Sequence, residues 1–165
     1  MLNHPSLKRE CGWIVMRVKS KYPESMEYHA KSEWDGKTGG TITTDDGRQI
    51  IYDTPKTYAG RGEGICPDEI FVSAVLGCFN NTFLDFQRRF EMELVSFTLD
   101  GKAKVVFDGE GYKITGVKVS GEVVVGEDEL ETGLRCVELM KQFCHLTRTI
   151  KECIPLEYDI TVREE

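Results

Sequence analysis

The feature that most constrains this chain is residues 66–83, CPDEIFVSAVLGCFNNTF, a helix with a cysteine in its middle. Pro67 suits a first helical position because it has no N–H to leave orphaned, and Asp68 and Glu69 suit the positive end of the helix dipole. The chain then runs apolar to Cys78, and Phe79, Phe83, Phe86 and Phe90 follow at three- and four-residue steps, so the helix is expected to continue to about Phe90. A helix as apolar as 70–83 needs cover on most of its circumference. One meander and one hairpin do not easily supply it, which points to a second subunit sharing the core.

The elements around it follow from period and turn chemistry. SMEYHAKSEW (25–34) alternates like a strand, DGKTGG (35–40) turns the chain, and TITT (41–44), DDG (45–47) and RQIIYD (48–53) complete an antiparallel meander. TPKTYAGRGEGI (54–65) is a glycine-rich connection without the spacing or lysine of a P-loop, and reads as a flexible link. Beyond the helix, Val95 to Phe107 alternates as a long strand and DGEG (108–111) is a hairpin turn. Val117, Val119, Val123 and Val125 then form a partner strand in which Ile114 falls out of phase, implying a bulge near Gly116. Leu130, Leu134, Val137, Met140 and Phe143 trace a second helix; the chain bends near FCHLTRTIKEC and ends in a strand through Leu156, Tyr158, Ile160 and Val162. The expected class is α+β, with antiparallel sheets around long central helices in the order βββ-α-ββ-αα-β. Residues 1–15 are expected to be a tail and 16–165 a single domain.

Composition narrows the function. With 165 residues and 40% hydrophobic content the chain can bury one core without disulfides, and 21 basic against 28 acidic residues give a net charge of −7, which argues against nucleic acid as a partner. No apolar run approaches the roughly 20 residues that span a bilayer, and CGWIVM (11–16) is shorter than the apolar core of a signal peptide, so no membrane association and a cytoplasmic location are expected. There the six cysteines should be mostly reduced, and without a CxxC pair and with three histidines a structural zinc site is not expected.

Two cysteines stand in unusual settings. Cys78 lies between Gly77 and Phe79 inside the apolar helix, and Cys144 opens CHLTRTI, where a helix start favours a thiolate. Free cysteine is also among the most buried residue types, so each reads either as a packed small hydrophobe or as a reactive thiol.

In these elements the sequence resembles the OsmC/Ohr family of peroxide-reducing proteins. The resemblance is carried by Pro67, Asp68 and Glu69 opening the helix, by Gly77-Cys78-Phe79 ten residues past Asp68, and by CHLTRTI, where the family often has Cys-Pro; the TGG turn, the TP…G.G loop and the element order also fit. It covers residues 25–163. It implies an intertwined homodimer with active sites at the subunit interface, Cys78 as the peroxidatic thiolate and Cys144 as the resolving thiol. The substrate would be an organic hydroperoxide or hydrogen peroxide, the reductant an external thiol or dithiol, and no metal or organic cofactor would be needed. Phe71, Val75 and Phe79 are candidates to line a pocket for an alkyl tail, or are ordinary core positions. A family fold kept as a small-molecule or lipid binding dimer is the alternative.

The sequence departs from the family at one charged position. An arginine usually follows the early Gly-Gly and holds the thiolate, but here Thr41 stands there. Without a cation an apolar site raises a thiol's pKa. Arg61 is the nearest candidate to compensate, with Asp68 expected to orient its guanidinium through a bidentate pair, although Arg61 also reads as a solvated loop residue.

Overall fold

The computed structural model describes residues 23–165, so the expected tail at 1–15 lies outside the described residues. Three strands come first: β1 (Ala30–Trp34), β2 (Gly39–Thr44) and β3 (Gln49–Asp53), antiparallel in the order β1-β2-β3. The first strand is shorter than the alternation at 25–34 suggests. Its register ends at Ala30 opposite Thr44, the last residue of β2, so residues before Ala30 have no strand to pair with among the described residues. Gly39 and Gly40, expected in the turn, are instead the buried start of β2. A Cβ on Gly39 would lie 2.3 Å from the Tyr52 carbonyl oxygen, and one on Gly40 would lie 2.2 Å from that of Glu33.

The link at 54–65 is an ordered, hydrogen-bonded loop. The buried Asp53 carboxylate accepts bonds from Thr38 Oγ1 at 2.7 Å, the Thr54 N–H at 2.8 Å, the Glu63 N–H at 3.0 Å and Arg61 Nε at 3.3 Å. These donors favour the ionised form and hold the Asp53 pKa down at about 2, with the Thr38 hydroxyl the largest cause. Gly60 is required there, because its Cβ would sit 1.9 Å from the Thr54 carbonyl oxygen.

Helix α1 (Pro67–Phe90) has the expected ends, and its 24 residues span roughly 36 Å at about 1.5 Å per residue. Glu69 reaches back to the Cys66 N–H at 2.9 Å, closing a capping box, and Glu91 stops the helix with a left-handed φ of 55° and its N–H on the Gln87 carbonyl. Val75, Cys78, Phe79 and Phe83 form its buried face. Each fully buried phenylalanine contributes on the order of 1.5–3 kcal/mol of hydrophobic stabilisation.

That face rests on the second sheet, β4 (Leu94–Phe107), β5 (Tyr112–Val125) and β6 (Leu156–Glu164), in the order β4-β5-β6. Phe83 meets Phe97 of β4 at 4.3 Å between ring centroids, and Phe79 meets Tyr158 of β6 at 5.5 Å. The bulge lies where the phase of Ile114 puts it: Lys104 pairs with Gly116 and Val105 with Ile114, leaving Thr115 as the extra residue. The hairpins are antiparallel as expected, while β6 joins β5 in parallel. Helices α2 (Leu130–Phe143) and α3 (His145–Ile150) provide the crossover that a parallel return needs.

Helix α2 presents a somewhat different face from the one its large side chains suggest. Val137 and Met140 are buried with Gly133, Cys136 and Leu139, whereas Leu130, Leu134 and Phe143 are exposed. Gly133 explains the rotation: a Cβ there would lie 2.9 Å from Val162 Cγ1 and 3.0 Å from Val125 Cγ1, so the helix approaches the sheet most closely along its small residues.

Candidate thiol site

Helix α1 and the α2–α3 junction meet at two sulfurs. Cys78 occupies the buried face of α1 five residues before Phe83, and Cys144 is the single residue between α2 and α3. Because Met140 packs inward and the Cys144 N–H still bonds to its carbonyl at 3.0 Å, the thiol of Cys144 is carried into the core. The Cys144 thiol donates to Cys78 Sγ at 3.1 Å. Both residues are buried, Cys78 at 8% exposure and Cys144 at 0%. A disulfide requires sulfurs about 2.05 Å apart, so closure by roughly 1 Å would join them.

The electrostatics of Cys78 are mixed. Burial is the largest influence and pushes its thiol pKa up, and the neighbouring Cys144 adds to this. Backbone N–H groups of Leu146 and His145, directed at the sulfur, favour the thiolate and pull the other way. Cys136, also buried, has its pKa pushed up to about 11 by burial and by the charge of Glu129, which leaves it a poor nucleophile near neutral pH. Cys66 caps α1, and Cys153 is exposed beyond α3.

The imidazole of His145 lies against the same sulfur, with Nδ1 at 3.5 Å and Nε2 at 3.8 Å from Cys78 Sγ. The sequence reading passed over this residue. Its signal was present, since His145 follows the candidate resolving cysteine directly, where the resemblance leads one to expect proline.

Arg61 and Asp68 do not form the expected pair. The Arg61 guanidinium is bonded to Asp35, lies 3.3 Å from Asp53 and 3.2 Å from Glu63, and so ties the loop at 54–65 to the first sheet. Three carboxylates surround it, and the Asp35 contact is the main reason its pKa is raised further. Asp68 accepts from the Cys66 thiol at 3.7 Å instead. The physical reason is local: Asp68 is held in the first turn of α1, while Asp53 and Asp35 flank the loop from the sheet side. Within the chain neither Arg61 nor Asp68 bonds to Cys78 or Cys144. Thr41 sits in β2 opposite Ile51 and Glu33.

Val75 and Phe79 are core residues and Phe71 packs against that core. Two open grooves, of about 310 and 420 Å³, flank the start of α1, and neither includes a sulfur of the pair among its lining residues. Among the described residues no three His, Cys, Asp or Glu side chains gather as a metal site would require. No helix there is long and apolar enough to cross a membrane.

Comparison with known proteins agrees with this architecture. Residues 60–159 match the family model described as OsmC-like protein. No curated protein matches the chain. Among solved structures, an OsmC-like protein of unknown function from Vibrio cholerae superposes with a TM-score of 0.71 at 17% identity, covering 83% of this chain and 100% of that one. An organic hydroperoxide resistance protein, OsmC, from Legionella pneumophila gives 0.65 at 14% identity over 87% and 99% of the two chains. The organic hydroperoxide resistance protein OhrB of Bacillus subtilis gives 0.62 at 19% over 82% and 98%.

Proposed function

The chain belongs to the OsmC-like protein family, and on that premise we propose that it is a thiol peroxidase in which Cys78 reduces an organic hydroperoxide or hydrogen peroxide and Cys144 resolves the product. The observation that carries the proposal is the buried contact of 3.1 Å between the two sulfurs. The Cys78 thiolate attacks the hydroxyl oxygen of ROOH, the S–O bond forms as the O–O bond breaks, and the alcohol ROH leaves once its oxygen takes up a proton. The sulfur is then a sulfenic acid, two electrons more oxidised. The Cys144 sulfur displaces water from it to give a disulfide, which an external thiol or dithiol reduces. No residue other than the two cysteines changes oxidation state.

The proposal includes a homodimer. All five residues of β1 are exposed, and Tyr28, Trp34 and Ile51 stand 86%, 73% and 64% exposed on and beside the first sheet. Apolar side chains at such exposure on one small sheet fit a surface that a second copy covers. The hydroperoxide names of two structural neighbours favour the same chemistry.

A second reading keeps the fold as a small-molecule or lipid binding dimer without efficient turnover. It is favoured by Thr41 in place of a family cation and by the full set of carboxylate partners around Arg61. Steady-state consumption of cumene hydroperoxide and of hydrogen peroxide, with a dithiol as reductant, separates the two. Turnover abolished by Cys78→Ser supports the peroxidase. Absence of turnover, with a small molecule copurifying by native mass spectrometry, supports the binding dimer.

A further inference from the structure

We propose that His145 is the acid–base residue of the Cys78 site, taking the thiol proton before attack and returning it to the departing alkoxide. The inference rests on the peroxidase reading and deepens it. Its basis is position. His145 is the first residue of α3, fixed to Cys144 by the chain, and its ring reaches Cys78 Sγ with Nδ1 at 3.5 Å and Nε2 at 3.8 Å. Among the described residues it is the basic side chain that contacts the sulfur pair, since the guanidinium of Arg61 is held by Asp35, Asp53 and Glu63. The other titratable groups at the pair are Cys144, from the α2–α3 junction, and Tyr158 of β6, close enough to Cys144 for their charges to interact.

The pair needs such a group. Burial disfavours the Cys78 thiolate, and the Leu146 and His145 N–H groups lower that cost without accepting a proton. A neutral imidazole accepts the Cys78 proton and becomes imidazolium beside the thiolate it has generated. The thiolate then attacks the hydroxyl oxygen of ROOH; as the S–O bond forms and the O–O bond breaks, RO⁻ takes the imidazolium proton and leaves as ROH. Atoms and charge balance: the sulfur loses two electrons, the peroxide gains them, and the imidazole ends neutral. Proton transfer by a placed side chain typically contributes about 10²–10⁴-fold. His145 is exposed within the chain, so it can be changed without disturbing the core.

The test compares the full chain with His145→Asn, which keeps polarity and approximate size but carries no titrating proton. Cys78 alkylation by iodoacetamide is followed by mass spectrometry from acid to alkaline pH, and sulfenic acid formation is followed in a single turnover with cumene hydroperoxide. The expected result is a loss of tenfold or more in both rates near neutral pH, with an upward shift of about one pH unit in the alkylation inflection. The parent and variant rates should converge at alkaline pH, where the thiol ionises unaided. A loss of equal size at every pH indicates a structural role and overturns the proposal, as do superimposable profiles. If the parent consumes no hydroperoxide, the peroxidase reading fails, and the alkylation profiles still decide whether His145 is the base of Cys78. If the parent turns over and His145→Asn matches it throughout, the peroxidase stands and the role of His145 does not.

Discussion

Removal of the Cys144 thiol should separate peroxide reduction from resolution. In Cys144→Ala the attack by Cys78 remains, but the sulfenic acid has no neighbour at 3.1 Å to condense with. Well-oriented neighbours act at effective concentrations up to roughly 10⁵ M or more; taken at only about 1 M, Cys144 still outcompetes an external thiol at about 1 mM by roughly a thousandfold. That ratio corresponds to about 4 kcal/mol of barrier. Burial widens the gap, because Cys78 is 8% exposed and an external thiol must reach it through the packed junction. Alanine is preferred to serine, since a hydroxyl in a fully buried site would add a desolvation cost of its own. The assay is a single turnover with cumene hydroperoxide followed by a dimedone trap. The variant should accumulate trapped Cys78 sulfenic acid, overoxidise with excess peroxide, and turn over far more slowly with a monothiol. Parental turnover in Cys144→Ala, with no trapped sulfenic acid, would refute the resolving role.

Three other outcomes follow from the packing and the loop. The Asp53 pKa is held at about 2 against an ordinary 3.8, so its ionised contacts stabilise the loop fully above the unfolded value and lose that contribution as pH falls through the folded one. Protease susceptibility at Arg61 should therefore rise between about pH 4 and pH 2, and Asp53→Asn should show raised susceptibility already at neutral pH. Gly101→Val should destabilise the fold by at least about 1–3 kcal/mol in urea unfolding, because even a Cβ there meets Val72 Cγ1 at 2.9 Å and Leu76 Cδ2 at 3.0 Å, where α1 crosses β4. Light scattering at micromolar concentration should give a dimer that Trp34→Asp weakens; a folded parental monomer would contradict the shared core.

What the sequence revealed was governed by local chemistry. Pro67, Asp68 and Glu69 set the start of α1 through its orphan N–H groups, and the phase slip at Ile114 implied a bulge near Gly116, where Thr115 is the extra residue. The two candidate cysteines are also where the structure brings sulfurs together. What escaped depends on partners distant along the chain. Asp53 organises the loop only because Thr38 and Arg61 converge on it from either side. The buried face of α2 is set by Gly133, which a search for large apolar side chains passes over. The expected pairing of Arg61 with Asp68 weighed nearness in sequence, whereas Asp35, 26 positions from Arg61, holds the guanidinium. His145 lies 67 positions from Cys78, and only the meeting of α1 with the α2–α3 junction makes the two neighbours.

The central claim is that Cys78 and Cys144 form one redox unit, and peptide mapping after one equivalent of cumene hydroperoxide tests it most directly. The prediction is a single dominant disulfide, Cys78 to Cys144 within one subunit, with Cys11, Cys66, Cys136 and Cys153 still alkylatable and the bond lost on addition of a dithiol. A different dominant pair, a link between subunits, or six free thiols after peroxide has been consumed would contradict it.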